Sequence, residues 1–151
     1  MERTLGLMCG AGILPARVAR EAKRRGFRVV AFPFGDTPGL DGAVDRVIRS
    51  SIADIGAVLA GLQAEQASAA LFCGKFWTGD LLRTPGDAAR QAIVARGGGG
   101  LSDTELYRGV VTTLGGMGIE VLDQRSFFGD WITAIGPLGR RGATDEERAD
   151  V

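Results

Sequence analysis

The chain has 151 residues, of which 45% are hydrophobic and 24% are charged, and this composition excludes a disordered or fibrous protein. Eighteen Lys and Arg residues balance eighteen Asp and Glu residues, which argues against a non-specific nucleic-acid binder. The chain contains no histidine, so Ser-His-Asp and Cys-His catalysis and the commonest zinc ligand are excluded.

The apolar runs are too short for a membrane-spanning protein. Runs such as Ala67–Cys73 fall well below the roughly 18 residues that a spanning helix needs. The amino-terminal run Leu5–Leu14 is interrupted by glycine and lacks a signal-peptide cleavage site, so we expect a cytoplasmic protein. In that compartment Cys9 and Cys73 are expected to be reduced and to act as small buried hydrophobic residues rather than nucleophiles.

The first half of the chain alternates between predicted strands and helices. One helix follows Gly12 and is expected to end at Gly26. A second helix is predicted to begin at a capping box formed by Ser51 and Asp54. The strands predicted around these helices are Thr4–Cys9, Arg28–Phe34, Val44–Ser50 and Ser68–Cys73. This alternation predicts right-handed βαβ units in a Rossmann-like, doubly wound sheet.

The second half is predicted to complete the sheet. We expect a helix over Asp87–Arg96, a mobile loop at the tetraglycine Gly97–Gly100, and a fifth strand over Ile119–Leu122. A capping box formed by Ser102 and Glu105 predicts the helix before that strand. An aromatic cluster that is expected to pack under a sheet edge comprises Phe127, Phe128, Trp131 and Ile132. The predicted fold is an α/β, mostly parallel five-stranded sheet with helices on both faces.

The end of the chain differs in composition from the rest. Residues 1–138 are predicted to form the Rossmann-like domain. The segment Gly136–Gly142 has the composition of a linker, and another capping box follows at Thr144–Glu147. We therefore expect residues 139–151 to be a linker and the start of a helix that belongs to an absent carboxy-terminal domain.

A Gly10-Ala11-Gly12 turn stands between the first predicted strand and helix. At such a turn the phosphate of a ligand can meet backbone N–H groups at the positive end of a helix. Pro15 occupies the position of the third glycine of the dinucleotide fingerprint, so a tight turn without a ligand is an equal alternative. Asp36 follows the second strand, where a ribose carboxylate would lie, and is more simply explained as a turn residue.

The strand order expected for this fold, 3-2-1-4-5, brings several of these segments together. Cys9 and Gly10 would lie beside Cys73, Gly74 and Lys75, at the edge where ligands enter. Lys75 would then be a phosphate contact or simply a solvated lysine. The predicted substrate-binding residues are Gly10, Ala11, Gly12, Gly74, Lys75, Asp103, Thr104, Asp123 and Gln124. No catalytic or metal-binding residue is predicted.

Several stretches, in this order and spacing, resemble one family nearly end to end. They are residues 5–15, 19–30, 71–75, 102–108 and 118–124. The family is that of the UDP-2,3-diacylglucosamine pyrophosphatases of lipid A biosynthesis, of the type unrelated to metallophosphoesterases. The resemblance implies a Rossmann-like amino-terminal domain and a carboxy-terminal domain with a catalytic aspartate in a Glu-Gly-Thr-Asp-like segment. It also implies hydrolysis of UDP-2,3-diacylglucosamine to 2,3-diacylglucosamine 1-phosphate and UMP with a divalent metal such as Mg²⁺.

The chain departs from this pattern in several places. It has no Glu-Gly-Thr-Asp segment, and residues 76–79 and the pair Met8-Cys9 differ from the expected family sequence. The resemblance therefore implies a substrate-binding amino-terminal domain that is inactive alone and has no cofactor of its own. Its implied partners are a UDP-sugar lipid, a carboxy-terminal catalytic domain or a second copy, and a membrane surface reached through the lipid. The alternative is a stand-alone nucleotide-binding or protein-interaction module without catalysis.

Overall fold

Five parallel strands form a single sheet in the order β3-β2-β1-β4-β5. The computed structural model describes residues 3–77, 79, 83–132, 144, 145 and 148. The strands are β1 (Arg3–Cys9), β2 (Phe27–Pro33), β3 (Arg46–Val47), β4 (Ala69–Cys73) and β5 (Glu120–Val121). The predicted α/β class and strand order are confirmed, although the third and fifth strands are only two residues long.

Among the described residues, four helices cover the two faces of the sheet. They are α1 (Leu14–Arg24), α2 (Ile55–Ala64), α3 (Ala88–Gly97) and α4 (Asp103–Gly116). Helix α1 packs on one face through Val18 and Ala22. Helices α2 and α4 pack on the other face through Leu62 and Leu114. Two short 3₁₀ turns, Gln124–Phe127 and Gly129–Trp131, follow β5.

Strand β1 shows why the sheet lies at the centre of the domain. Its side chains alternate between the two faces, with Leu5 and Leu7 in the core under α1 and Met8 in the core under α2 and α4. All three residues are almost completely buried. A parallel sheet covered on both faces requires such continuous apolar strands.

The helix caps agree with the sequence in one case and differ in another. Ser102 caps α4 as predicted, and its Oγ accepts a hydrogen bond from the Glu105 N–H at 3.4 Å. The prediction that Ser51 caps α2 was wrong. Asp54 is the cap, and its carboxylate accepts from the Ala57 N–H at 3.1 Å. Ser51 instead stabilises the preceding turn, because its carbonyl accepts from the Asp54 N–H.

The tetraglycine segment contributes to helix packing. Gly97 is buried as the last residue of α3, so the predicted mobile loop is wrong for this residue. A Cβ at Gly97 would lie 2.0 Å from the Glu105 carbonyl oxygen, and one at Gly109 would lie 2.0 Å from that of Ile93. Helices α3 and α4 therefore meet backbone against backbone, which only glycine allows.

Asp87 joins the amino ends of two helices. Its carboxylate accepts from the Arg90 N–H at 2.9 Å in α3 and from the Gly56 N–H at 2.6 Å in α2. The N–H of Arg90, followed by that of Gly56, lowers the pKa of the Asp87 carboxyl. The ionised carboxylate is the form that accepts these hydrogen bonds. It therefore stabilises the folded protein fully at pH values above the ordinary pKa of 3.8. This stabilisation is lost as the pH falls through the lower pKa of the folded state.

Replacing Asp87 with asparagine tests this pH dependence. Asparagine also caps helices but carries no charge, so Asp87→Asn should be less stable than the wild type at pH 7. We expect the difference in urea midpoint to narrow as the pH is lowered from 7 to 3. An equal difference at both pH values would show that the charge of Asp87 contributes nothing.

The described residues include only part of the region for which the carboxy-terminal predictions were made. Phe127 is buried against Phe27, with ring centroids 6.3 Å apart, whereas Trp131 and Ile132 are about half exposed. The predicted linker Gly136–Gly142 lies outside the described residues, and the division into two domains stays a prediction. No helix in the described part of the chain is long and apolar enough to cross a membrane.

Candidate functional site: the glycine-lined crevice at the carboxyl edge

The turns after β1 and β4 lie side by side. Cys9 is directly opposite Cys73, and the Gly10 N–H donates to the Cys73 carbonyl at 2.8 Å. Beyond the strands, Ala11 and Lys75 exchange two backbone hydrogen bonds of 2.9 Å each. The structure thus brings together the predicted residues Gly10–Gly12 and Gly74–Lys75, and we call this place the crevice.

Two glycines make this close approach possible. A Cβ at Gly10 would lie 2.7 Å from the Lys75 carbonyl carbon. Gly74 has a φ of +88°, and a Cβ there would lie 2.6 Å from the Gly10 carbonyl oxygen. Any larger side chain at either position would force the two turns apart.

The backbone N–H groups of the glycine turn are engaged within the protein. Gly10 donates to Cys73, Ala11 donates to Lys75, and Gly12 donates to the Asp36 carbonyl at 2.9 Å. A phosphate would therefore have to use other donors. The start of α1 can supply them, because the N–H groups at the start of a helix have no partner within the helix. Pro15 in the first turn has no N–H, so it contributes no donor.

The amino end of α1 differs from those of the other helices. Its cap residue, Ile13, makes no side-chain capping bond. Helices α2, α3 and α4 are each capped by a side chain, from Asp54, Asp87 and Ser102. The partial positive charge at the start of α1 is thus left open to an anion. Sequence reasoning missed Ile13, although its apolar side chain at a cap position is a readable signal.

Lys75 adds a full positive charge to the crevice. Its exposed side chain places Nζ 3.7 Å from the centroid of the Trp77 ring. Within the described residues, the ammonium thus contacts an aromatic ring rather than a carboxylate. Next to it, Gly12 has a φ of +107° and open space where a Cβ would be. The crevice therefore combines a helix amino end, a lysine and room above a glycine.

Asp36 reaches the crevice through its backbone. The Asp36 carbonyl accepts the hydrogen bond from the Gly12 N–H, and Asp36 is exposed to solvent. This geometry agrees with the interpretation of Asp36 as a turn residue.

Asp103 and Thr104 lie at the first turn of α4, where both are exposed. Asp103 lines a cavity of about 380 Å³ between helices α2, α3 and α4 and the sheet. Phe76 and Trp77, which directly follow Lys75, line the same cavity. Asp103 therefore belongs to this cavity, which sequence reasoning did not foresee.

Asp123 and Gln124 lie apart from these groups. The Asp123 carboxylate accepts hydrogen bonds from the backbone and the guanidinium of Arg125, and the guanidinium contributes most to lowering the pKa of Asp123. The chain then runs back to the far end of α1, where the Ser126 carbonyl accepts from Arg25 at 2.6 Å. The structure therefore does not bring this segment into contact with the crevice.

The two cysteines behave as core residues. Both are free and buried, as the sequence predicts. Burial raises the pKa of the Cys73 thiol to about 12, and burial together with the nearby Cys73 raises that of Cys9 still further. Both thiols are protonated at neutral pH, so neither is activated as a nucleophile.

The described carboxylates do not converge on a metal. No three Asp, Glu, Cys or His side chains cluster together in the described part of the chain. Asp36, Asp103 and Asp123 stand on three separate segments, and Asp123 is already bound to Arg125. The divalent metal that the resemblance implies thus finds no ready set of ligands among these residues, and no step through a metal follows from them.

The fold is a doubly wound α/β domain, and the crevice lies at the point where the strand order reverses. A family model described as the LpxI N-terminal domain matches residues 4–131. The chain therefore belongs to the LpxI N-terminal domain family. LpxI is a UDP-2,3-diacylglucosamine hydrolase of lipid A biosynthesis. The family that the sequence resembles is therefore confirmed at the level of this domain. A search of curated proteins finds no match to the chain.

Proposed function

We propose that the chain is the substrate-binding, amino-terminal part of a UDP-2,3-diacylglucosamine hydrolase. Membership of the LpxI N-terminal domain family supports this substrate. The single observation that carries the proposal is the uncapped amino end of α1, which closely follows the turn whose Ala11 exchanges backbone hydrogen bonds with Lys75. A diphosphate is the anionic part of this substrate, and a helix amino end with a lysine is a common way to bind phosphate.

Within this proposal the residues of the crevice hold and orient the diphosphate. The N–H groups of the cap residue Ile13 and of Leu14, the first residue of α1, would donate to its oxygens, and the Lys75 ammonium would neutralise part of its charge. The space above Gly12 leaves room for this group. Hydrolysis would then release UMP and leave 2,3-diacylglucosamine 1-phosphate.

The proposal assigns the chemical step to residues outside this chain. The resemblance implies a catalytic aspartate in a Glu-Gly-Thr-Asp-like segment, which this sequence does not contain. The complementary catalytic domain would hold Mg²⁺, which would stabilise charge on the phosphoryl oxygens. A second copy of the chain is the other proposed partner. We propose that the protein works in the cytoplasm and contacts a membrane surface only through its lipid substrate.

A titration with the lipid tests the proposal. The purified chain should bind UDP-2,3-diacylglucosamine saturably in detergent micelles, and it should release no UMP when Mg²⁺ is added. UMP alone should bind more weakly, because it lacks the lipid part. Absence of binding to the lipid would contradict the proposed substrate, and release of UMP would contradict the assignment of catalysis to another domain.

A further inference from the structure

The two tryptophans of the chain each lie against a positively charged side chain. Lys75 places its ammonium over the ring of Trp77, and Arg17 places its guanidinium carbon 4.8 Å from the centroid of the Trp131 ring. Arg17 is exposed on α1, one helical turn after the cap residue Ile13. The structure thus places a second cation close to the start of this helix.

The contacts of Arg17 leave its charge uncompensated. Near the carboxyl end of α1, Arg24 and Arg25 both pair with Glu21. Among the described residues, Arg17 contacts an aromatic ring and no carboxylate. Stacking on a ring uses the flat face of a guanidinium, while its N–H groups point outward in the plane of the group and stay able to donate. The charge and the donors of Arg17 are therefore available to an anion.

The segment after β5 holds Arg17 in this place. It meets the carboxyl end of α1 at Arg25, whose guanidinium lies 4.5 Å from the Phe127 ring centroid, and it reaches Arg17 at Trp131. Because the two arginines are about two helical turns apart, the segment runs along α1 towards its amino end. Phe128 packs against the core and stacks with Trp131, with ring centroids 6.3 Å apart. Aromatic rings thus connect the core to Arg17.

Arg17 is within reach of the start of α1. Long side chains on a helix point back towards its amino end, and residues four apart lie one above the other. Arg17 therefore lies over the turn that begins at Ile13, whose apolar side chain is 56% exposed and makes no capping bond. A guanidinium also binds phosphate oxygens in pairs, which an ammonium does not. A phosphate at the start of α1 would meet both backbone N–H groups and this guanidinium.

We propose that Arg17, positioned by Trp131, is a second cation that binds the diphosphate of the substrate at the start of α1. The proposal rests on the proposed function for the identity of the ligand, whereas the contacts of Arg17 do not depend on it. Lys75 belongs to the turn after β4 and Arg17 to α1, so two segments of the chain would neutralise the diphosphate. Arg17 is thereby a binding residue, and Trp131 acts only through it.

Removal of the guanidinium tests this role. Arg17→Ala should weaken the binding of UDP-2,3-diacylglucosamine and of inorganic pyrophosphate by about tenfold to a hundredfold, because a hydrogen bond to a charged group contributes about this much to affinity. Arg24→Ala is the matched control, because it removes the same charge from the other end of α1. It should leave both affinities nearly unchanged. Calorimetry measures binding, and thermal melting checks that both variants fold.

Trp131 has its own test as a positioning residue. Trp131→Ala should weaken binding in the wild-type chain and have no further effect in the Arg17→Ala chain, because the two changes remove the same interaction. Trp131→Phe keeps an aromatic ring beside the guanidinium and should retain most of the affinity. A loss on Trp131→Ala that is equally large in both chains would overturn the positioning role.

The two ligands separate this proposal from the proposed function. Pyrophosphate binding that Arg17→Ala weakens and Arg24→Ala does not supports the role of Arg17, even if the lipid fails to bind. Lipid binding that Arg17→Ala leaves unchanged would overturn that role and leave the proposed function standing. Equal losses in both arginine variants would overturn it as well, because the net charge of α1 would then govern binding. A wild-type chain that binds neither ligand would contradict both proposals.

Discussion

Gly109→Ala should lower the free energy of unfolding by about 2–3 kcal/mol. The added Cβ would lie 2.0 Å from the Ile93 carbonyl oxygen. That oxygen belongs to the backbone of α3, so the clash is relieved only if the two helices move apart. Urea unfolding followed by circular dichroism measures the loss.

Gly115→Ala is the matched control within the same helix. Gly115 is exposed, and nothing lies within 4 Å of the position that a Cβ would take. Alanine also has the higher helix propensity, so this variant should be more stable by about 0.5–1 kcal/mol. Equal effects of the two substitutions would contradict the backbone contact between α3 and α4.

Lys75→Ala should weaken the binding of UDP-2,3-diacylglucosamine by about tenfold to a hundredfold, because a hydrogen bond to a charged group usually contributes about this much to affinity. The side chain is exposed and contacts Trp77, so its removal should leave the stability of the fold nearly unchanged. Isothermal titration calorimetry measures the affinity, and thermal melting checks the fold.

Lys23→Ala is the control for charge, because Lys23 is the other lysine of the chain. It lies near the carboxy end of α1, where it pairs with Asp45 at 2.6 Å. It should leave the affinity unchanged, since it stands at the far end of the helix from the crevice. If both variants lose affinity equally, net charge rather than the crevice governs binding.

The fold was largely predictable from the sequence because its signals are local. Alternating strands and amphipathic helices such as Leu14–Arg24 imply the strand order, and the order in turn places Cys9 beside Cys73. The ends of β3 and β5 were harder to predict. Their pairing with a neighbouring strand stops after two residues, which depends on tertiary contacts rather than on the pattern of each segment.

The candidate site was predictable only in outline. The sequence placed Gly10–Gly12 and Lys75 at one edge, but it could not show that the Gly10, Ala11 and Gly12 N–H groups are engaged by carbonyls from other segments. It also could not show how three helices leave a cavity on the sheet. The segment after Asp123 turns back toward Arg25, because Phe127 packs in the core under α1.

Amide chemical shifts test the central claim most directly. When UDP-2,3-diacylglucosamine is added to ¹⁵N-labelled protein, the account predicts the largest changes at the amides of Ile13, Leu14 and Lys75. The amides of Arg3 and Glu120 should barely change. The side chains of these two residues form an ion pair at the amino ends of β1 and β5, at the other end of the strands from the crevice. Saturation by the lipid with no change at the start of α1, or with the largest changes at that other end, would contradict the account.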